Sequence, residues 1–130
     1  MTVQEWLAGY ARAWEDRDAA AAAALFTEDS SYLDQPFGDA YSGRAGVSEY
    51  WSNVTSSQEQ VSVRIGDPIV AADQRRAAAE FWVTMLSGGA EVTLTGILFL
   101  RFSADGLCEE LREAWHFSEG LREPSGAWGS

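Results

Sequence analysis

Apolar residues fall at helical spacing in the first part of the chain and at strand spacing in the rest. Val3, Trp6, Leu7, Tyr10 and Trp14 share one stripe of a helix, which predicts an amphipathic helix from Val3 to about Asp16. Thr2-Val3-Gln4-Glu5 has the form of a capping box, in which Thr2 and Glu5 satisfy each other's backbone amides at the helix start. Asp18 can cap a second helix, Ala19–Phe26, whose alanines let it lie close against a neighbour while Leu25 and Phe26 anchor it. Ser30–Asp34 predicts a short strand, ended by Pro36 and Gly38. A third helix opens at Ser42 or Gly43 and runs through Val47, Tyr50 and Trp51 to about Asn53. Four strands follow, Gln60–Val70, Ala77–Ser87, Ala90–Phe102 and Leu107–Phe117. Ala72-Asp73-Gln74-Arg75, Gly88-Gly89 and Ala104-Asp105-Gly106 are the hairpin turns between them.

The order ααβαββββ, helices early and hairpins late, predicts an α+β domain rather than a parallel sheet. Strands this long coil strongly, so the expected form is a cone: a curved antiparallel sheet wrapped around three N-terminal helices. The domain is expected over residues 1–119, and the Gly/Ser/Pro-rich residues 120–130 are expected to be a flexible C-terminal tail. Six Trp, six Phe and four Tyr in 130 residues suffice for one core and for the lining of a cavity.

Charge narrows the partners. Nine arginines, no lysine and twenty acids leave a formal net charge of −11, a field that repels nucleic-acid phosphates and anionic membrane surfaces. One cysteine, Cys108, allows no internal disulfide, and no apolar run has the ~20 residues a membrane span needs. The N-terminal residues lack the basic start and apolar stretch of a signal peptide, so a cytoplasmic location is expected. A single histidine, His116, a single cysteine and scattered acids have no metal-ligand spacing, and no phosphate loop precedes a helix. Neither metal nor cofactor is expected.

The run Tyr10-Ala11-Arg12-Ala13-Trp14-Glu15-Asp16-Arg17-Asp18, then Leu25-Phe26, Tyr32-Leu33-Asp34-Gln35-Pro36-Phe37-Gly38, Ser42-Gly43-Arg44 and Tyr50-Trp51, resembles the opening of a known family. It is the SnoaL-like, ketosteroid-isomerase-like branch of the nuclear transport factor 2-like superfamily. Phe99-Leu100-Arg101-Phe102, Asp105-Gly106 and Leu111-Arg112 resemble its last two strands, so the likeness spans roughly residues 3–118. It implies a cystatin-like roll enclosing an aromatic-lined apolar pocket. It also implies pairing into a homodimer through the outer sheet face, where Trp82 and Thr84 would be covered.

In the ketosteroid isomerases a tyrosine on the first helix donates to the substrate oxygen, and an aspartate after the first strand moves a proton between carbons. The resemblance puts Tyr10 and Asp34 on those two positions, Trp51 on a supporting aromatic and Trp115 on a lining aromatic. The family's second, protonated acid falls on Leu98, which leaves half of the oxyanion site, and Gln35 is inserted after Asp34. Strand alternation from Leu98 and Trp115 turns Leu111 and Glu113 inward, and the same resemblance turns Phe81, Val83 and Met85 inward. Glu110, Arg112 and His116 then face outward.

Each candidate has two readings. Asp34 is either a general base beside apolar walls or a turn aspartate bonded to local amides before Pro36. Tyr10 is either a donor to a ligand oxygen or a core tyrosine. Glu113 is either a paired or protonated acid facing the cavity, or a surface acid placed there by a bulge. Cys108 has no basic neighbour and is expected to be idle.

Three functions are open. The first is cofactor-independent proton transfer of isomerase, cyclase or dehydratase type on a small hydrophobic carbonyl compound such as a polyketide or terpenoid. The second is a non-catalytic module that binds a hydrophobic ligand. Epoxide hydrolysis stands third, because related hydrolases use an Asp-Arg-Asp relay and no arginine here shares the inward parity.

Overall fold

The computed structural model describes residues 1–130. Its elements are α1 (Val3–Glu15), α2 (Ala19–Ala23), β1 (Phe26–Leu33), β2 (Tyr41–Ser42), α3 (Gly43–Thr55), β3 (Gln58–Ile65), β4 (Ile69–Val70), β5 (Arg76–Ser87), β6 (Ala90–Phe102) and β7 (Cys108–Glu119). The seven strands form one curved sheet in the order β2-β1-β7-β6-β5-β3, with β4 beside β5. The expected α+β roll is the observed architecture: helices pack on one face of a sheet made mostly of long antiparallel strands.

Local chemistry explains where the helices start. Thr2 and Glu5 exchange both capping bonds, each 3.1 Å, and Asp18 accepts from the Ala21 amide at 3.0 Å. The second helix is shorter than expected. It ends at Ala23, and Leu25 and Phe26 leave it because tertiary bonds claim their backbone: the Leu25 carbonyl accepts from the Trp6 indole at 2.8 Å and from the Cys108 amide at 2.9 Å. Phe26 therefore begins β1, which is longer than the predicted Ser30–Asp34 strand and stops one residue before Asp34.

Two further differences concern the sheet. β1 runs parallel to β7, Phe26 opposite Cys108 and Tyr32 opposite Leu111, with an irregularity between. Helix α3 and β2 carry the chain away from β1, so the two strands meet as a non-local pair that no hairpin turn announces. The predicted strand Gln60–Val70 is two strands, β3 and β4, separated at Gly66-Asp67-Pro68, where proline cannot continue the ladder.

Curvature has a visible device. Gly96 stands opposite Trp115 in the middle of β6, and a Cβ there would collide with the Ala114 carbonyl and the Trp115 backbone. Only glycine permits that closeness.

The core fills the concave side. Trp6 stacks on Tyr10 at 5.2 Å between ring centroids and meets Phe26 and Phe102 edge-on, while Trp14 packs against Trp51 at 5.1 Å. The Trp14 indole donates to the Gln58 side chain at 2.9 Å. No helix is long and apolar enough to cross a membrane.

Residues 120–130, expected to be a flexible tail, make contacts in the structure. They lie along the outer sheet face, where the Trp82 indole donates to the Arg122 carbonyl at 2.9 Å and Trp128 meets Trp82 edge-on at 6.0 Å. Backbone amides and two tryptophans give the segment partners that its Gly/Ser/Pro composition does not suggest.

Candidate functional site

Tyr32, near the end of β1, and Leu111 on β7 lie side by side, and Glu113 is two residues beyond Leu111, on the same face of its strand. Tyr10 reaches them from α1 and Tyr50 from α3. The Tyr10 and Tyr32 hydroxyls are 3.1 Å apart, and the Tyr32 and Tyr50 hydroxyls both donate to Glu113 Oε1, at 3.4 and 3.5 Å. Two tyrosine hydroxyls thus converge on one carboxyl, and a third, that of Tyr10, joins them through Tyr32. The two bonds to Glu113 are long for O–H···O geometry, so the carboxyl is only weakly held.

The electrostatics follow from that placement. Glu113 as a residue is part-buried, yet loss of water around its carboxyl is the dominant influence and pushes its pKa up to about 8. The charge of Asp34 adds to the rise, and the two tyrosine bonds offset only part of it. At neutral pH the carboxyl is mainly protonated and can donate. Burial, then the charge of Glu113, hold Tyr10, Tyr32 and Tyr50 well above the ordinary tyrosine range, so all three remain neutral donors.

Asp34 follows β1 at the rim. The Trp115 indole donates to its backbone carbonyl at 3.0 Å, tying the end of β1 to β7. The Gly38 amide goes to the Gln35 carbonyl, and no turn amide bonds the Asp34 carboxylate. The carboxylate is near enough to Glu113 and Tyr50 to raise both.

The structure brings Tyr10, Asp34 and Glu113 into one neighbourhood, with Trp51, Leu98, Leu111 and Trp115 packed around it. Trp51, Phe81, Val83, Met85, Leu98 and Leu111 all point inward as expected, but each is buried in the core, where Trp6, Trp14 and Tyr10 fill the space between them. The larger cavities lie elsewhere, between α2 and α3 and beside β4 on the outer sheet face. Tyr10 is 1 % exposed and its hydroxyl meets only Tyr32. Trp115 differs from expectation: it is 38 % exposed, at the mouth of the cone rather than in its wall. Glu113 is not displaced to the surface by a bulge, because β6 and β7 stay in register from Val92 opposite Glu119 to Arg101 opposite Glu110.

Tyr32 and Tyr50 were not singled out from the sequence. Tyr32 is two residues before Asp34, hence on the same side of an extended strand. Tyr50 follows Val47 by three on a helix, hence on the same stripe. Either spacing marks them.

Outside this cluster little is poised for chemistry. Burial pushes the Cys108 thiol up, His116 is exposed on the outer face, and no group of His, Cys, Asp and Glu gathers as a metal ion would need. Arg101 pairs with Glu110 at 2.9 Å and Arg112 covers the Phe99 ring, both on the outer face.

The family model described as SnoaL-like domain matches residues 7–111, and the chain belongs to that family. Among solved structures it is similar to the epoxide hydrolase/cyclase-like enzyme SalBIII of pyran ring formation in the polyether salinomycin. The identity is 21 %, with 87 % of this chain and 89 % of that chain covered and a TM-score of 0.76. A protein of ketosteroid isomerase-like fold from Catenulispora acidiphila, in complex with trimethylamine, is 22 % identical over 88 % of this chain and 86 % of that chain, with a TM-score of 0.75. A Mycobacterium tuberculosis protein in complex with estradiol-17beta-hemisuccinate is 16 % identical over 87 % and 92 %, with a TM-score of 0.74. At these identities the likeness is one of fold. No curated protein matches the sequence.

Proposed function

We propose that the mouth of the cone binds a small, mainly apolar carbonyl compound by its oxygen and moves a proton on it, an isomerase-, cyclase- or dehydratase-type reaction without a cofactor. The observation that carries this reading is the convergence of the Tyr32 and Tyr50 hydroxyls on Glu113, with Asp34 beside them. Protonated Glu113 and the Tyr50 hydroxyl are the donors to the ligand oxygen. Asp34 takes a proton from the carbon next to the carbonyl, and the enol so formed is stabilised at its oxygen by the same donors. Tyr10 acts one step back, by orienting the Tyr32 hydroxyl toward Glu113, so its expected direct contact with ligand passes to Tyr50.

The family frame supports this arrangement. The acid that the ketosteroid isomerases carry at the position of Leu98 is absent, but Leu98 stands directly opposite Glu113 across β6 and β7. An acid has moved one strand over, at the same level and on the same face. Relatives of the fold, one in complex with estradiol-17beta-hemisuccinate and one in pyran ring formation of the polyether salinomycin, support a hydrophobic ligand.

One observation favours a second reading, binding without turnover: the interior is closed by its own aromatic side chains, so a ligand must sit at the mouth or displace Tyr50. A Δ5-3-ketosteroid separates the two. Absorbance of the conjugated product reports turnover, and quenching of tryptophan fluorescence reports binding. Turnover that falls by ~10²-fold or more in both Asp34→Asn and Glu113→Gln supports proton transfer. Saturable quenching without product supports the binding reading, and neither signal with any hydrophobic carbonyl compound contradicts both.

A further inference from the structure

The sheet runs on where the helices stop covering it. Alternation puts Glu113, Trp115 and Phe117 of β7 on the concave face, opposite Leu98, Gly96 and Leu94 of β6. Leu98 is fully buried, but past Glu113 the cover is lost: Trp115 is 38 % exposed and Phe117 55 %. Leu94, beside Phe117, packs against the core and stays partly exposed, and Gly96 adds no side chain. An apolar shelf thus leads from the Glu113 carboxyl over Trp115 to Phe117, about 13 Å at the rise of four strand residues. Its near end is fixed to the site, because the Trp115 indole donates to the Asp34 carbonyl at 3.0 Å.

Two features decide what this shelf takes. Inward of Glu113 the space is filled by Tyr10, Trp51 and Leu98, so a ligand held there by its oxygen extends only outward. The second feature is charge. Asp34 stands at the near end, and Glu119, two residues past Phe117 on the same strand face, is exposed at the far end. None of the chain's five ion pairs involves Asp34 or Glu119, and the whole chain carries a formal charge of −11. A carboxylate or phosphate on the ligand is therefore opposed at either end of the shelf.

We propose that Phe117, with Leu94 beside it, determines the specificity of the mouth. The ligand it selects is elongated, about three fused rings to match the ~13 Å of shelf, with a carbonyl at one end and no anionic group at the other. Its apolar body lies along the outer part of β7 rather than inside the cone. The inference rests on the reading that puts the ligand oxygen at Glu113 and Tyr50. Trp115 floors the near half of the shelf, where any aromatic ring serves. Phe117 is beyond the reach of a one-ring compound, so length is read there. Charge excludes a ligand that bears a free acid or a phosphate handle, so the compound arrives free.

Quenching of tryptophan fluorescence in the full chain tests it, with acetophenone, 2-acetylnaphthalene and 2-acetylanthracene as a length series. 6-Acetyl-2-naphthoic acid and its methyl ester test charge. The Kd should tighten by ~10-fold or more from acetophenone to 2-acetylanthracene, and Phe117→Ala should remove that gain while changing acetophenone by less than ~2-fold. Ile97→Ala, which truncates a side chain of similar exposure (52 %) on the opposite sheet face, should change neither. The acid should bind ~10-fold more weakly than its ester, by a margin that narrows as salt is added. Phe117→Ala that weakens every ketone alike, or none, overturns the proposal. So does an Ile97→Ala effect equal to that of Phe117→Ala, and so does an acid that binds as well as its ester. Glu113→Leu separates the underlying reading: it should weaken all three ketones to a similar extent, by ~5-fold. If it weakens none, the carbonyl is not held at Glu113 and the orientation proposed here falls with that reading. An effective Glu113→Leu beside an unselective Phe117→Ala overturns the shelf alone.

Discussion

The closed inner end of the cone and its mouth are built from the same residue types and behave differently. At the inner end Trp6, Trp14 and Trp51 pack around Tyr10, and the Trp6 and Trp14 indoles are bonded to a backbone carbonyl and to Gln58. At the mouth Tyr32, Tyr50 and Trp115 surround Glu113 and Asp34, with hydroxyl contacts of 3.4 and 3.5 Å in place of short bonds. The Trp6 and Trp14 rings serve stability with their polar atoms satisfied inside the protein, while the Trp51 indole is buried there without a partner. Aromatic rings serve chemistry where their polar atoms are left weakly committed beside a group that can change charge. The boundary between the regions runs through the Tyr10–Tyr32 contact, which couples a fixed hydroxyl to one near the mouth.

Truncation at the inner end should have the largest effect on stability. Trp6→Ala removes a fully buried ring, its stack on Tyr10 and its bond to the Leu25 carbonyl, and should cost ~3–5 kcal/mol in denaturant unfolding. A loss below ~1 kcal/mol would show that this end is not the packed half of the comparison.

At the mouth the expected effect depends on pH. Glu113 has a folded pKa above its unfolded value, so the folded state holds an extra proton between about 4.5 and about 8. Its contribution to stability is therefore complete below the lower value and is lost as pH rises through the upper one. Glu113→Gln keeps the shape and removes the titration. Thermal unfolding should show the variant gaining on the parent as pH rises from 5 to 9, by ~5 °C or more at the alkaline end. Parallel curves for the two proteins would break the distinction between the regions.

Asp34→Asn sharpens the same point, because it removes the second cause of the Glu113 shift without touching the core. The Glu113 pKa should fall, any turnover should drop by ~10²-fold, and the melting temperature at pH 7 should not decrease. The smallest effect is expected at the rim. Trp115→Phe loses one indole bond to the Asp34 carbonyl and should cost ~1 kcal/mol, with turnover affected through the placement of Asp34 rather than through binding. A variant whose KM rises while kcat holds would assign Trp115 to ligand contact instead.

How much of this was legible follows from the kind of interaction involved. Helix α1, its cap and the hairpins β5–β6 and β6–β7 are local, set by the Thr2–Glu5 box, Gly88-Gly89 and Ala104-Asp105-Gly106, and the sequence shows them almost to the residue. The inward face of β5 and β6 followed from the family resemblance, which set the phase that alternation then extended. What was hidden is non-local. The parallel β1–β7 pair draws Leu25 out of the helix and Phe26 into strand, and Trp82 bonds the Arg122 carbonyl of the Gly/Ser-rich end. At the site, Glu113 and Asp34 were visible as inward acids, but the tyrosines that meet Glu113 come from β1 and α3, so only the folded sheet brings them together. Inward parity also could not say whether a side chain lines a cavity or fills it, as Met85 and Leu98 show.

The most direct test of the central claim is the titration of the Glu113 carboxyl itself, followed by its carbon-13 resonance from pH 4 to 10 and assigned by Glu113→Gln. The account predicts a midpoint near 8 that moves down in Asp34→Asn. A midpoint near 4.5, unchanged by Asp34→Asn, would contradict it: Glu113 would then be an ordinary ionised acid at neutral pH, with no proton to give.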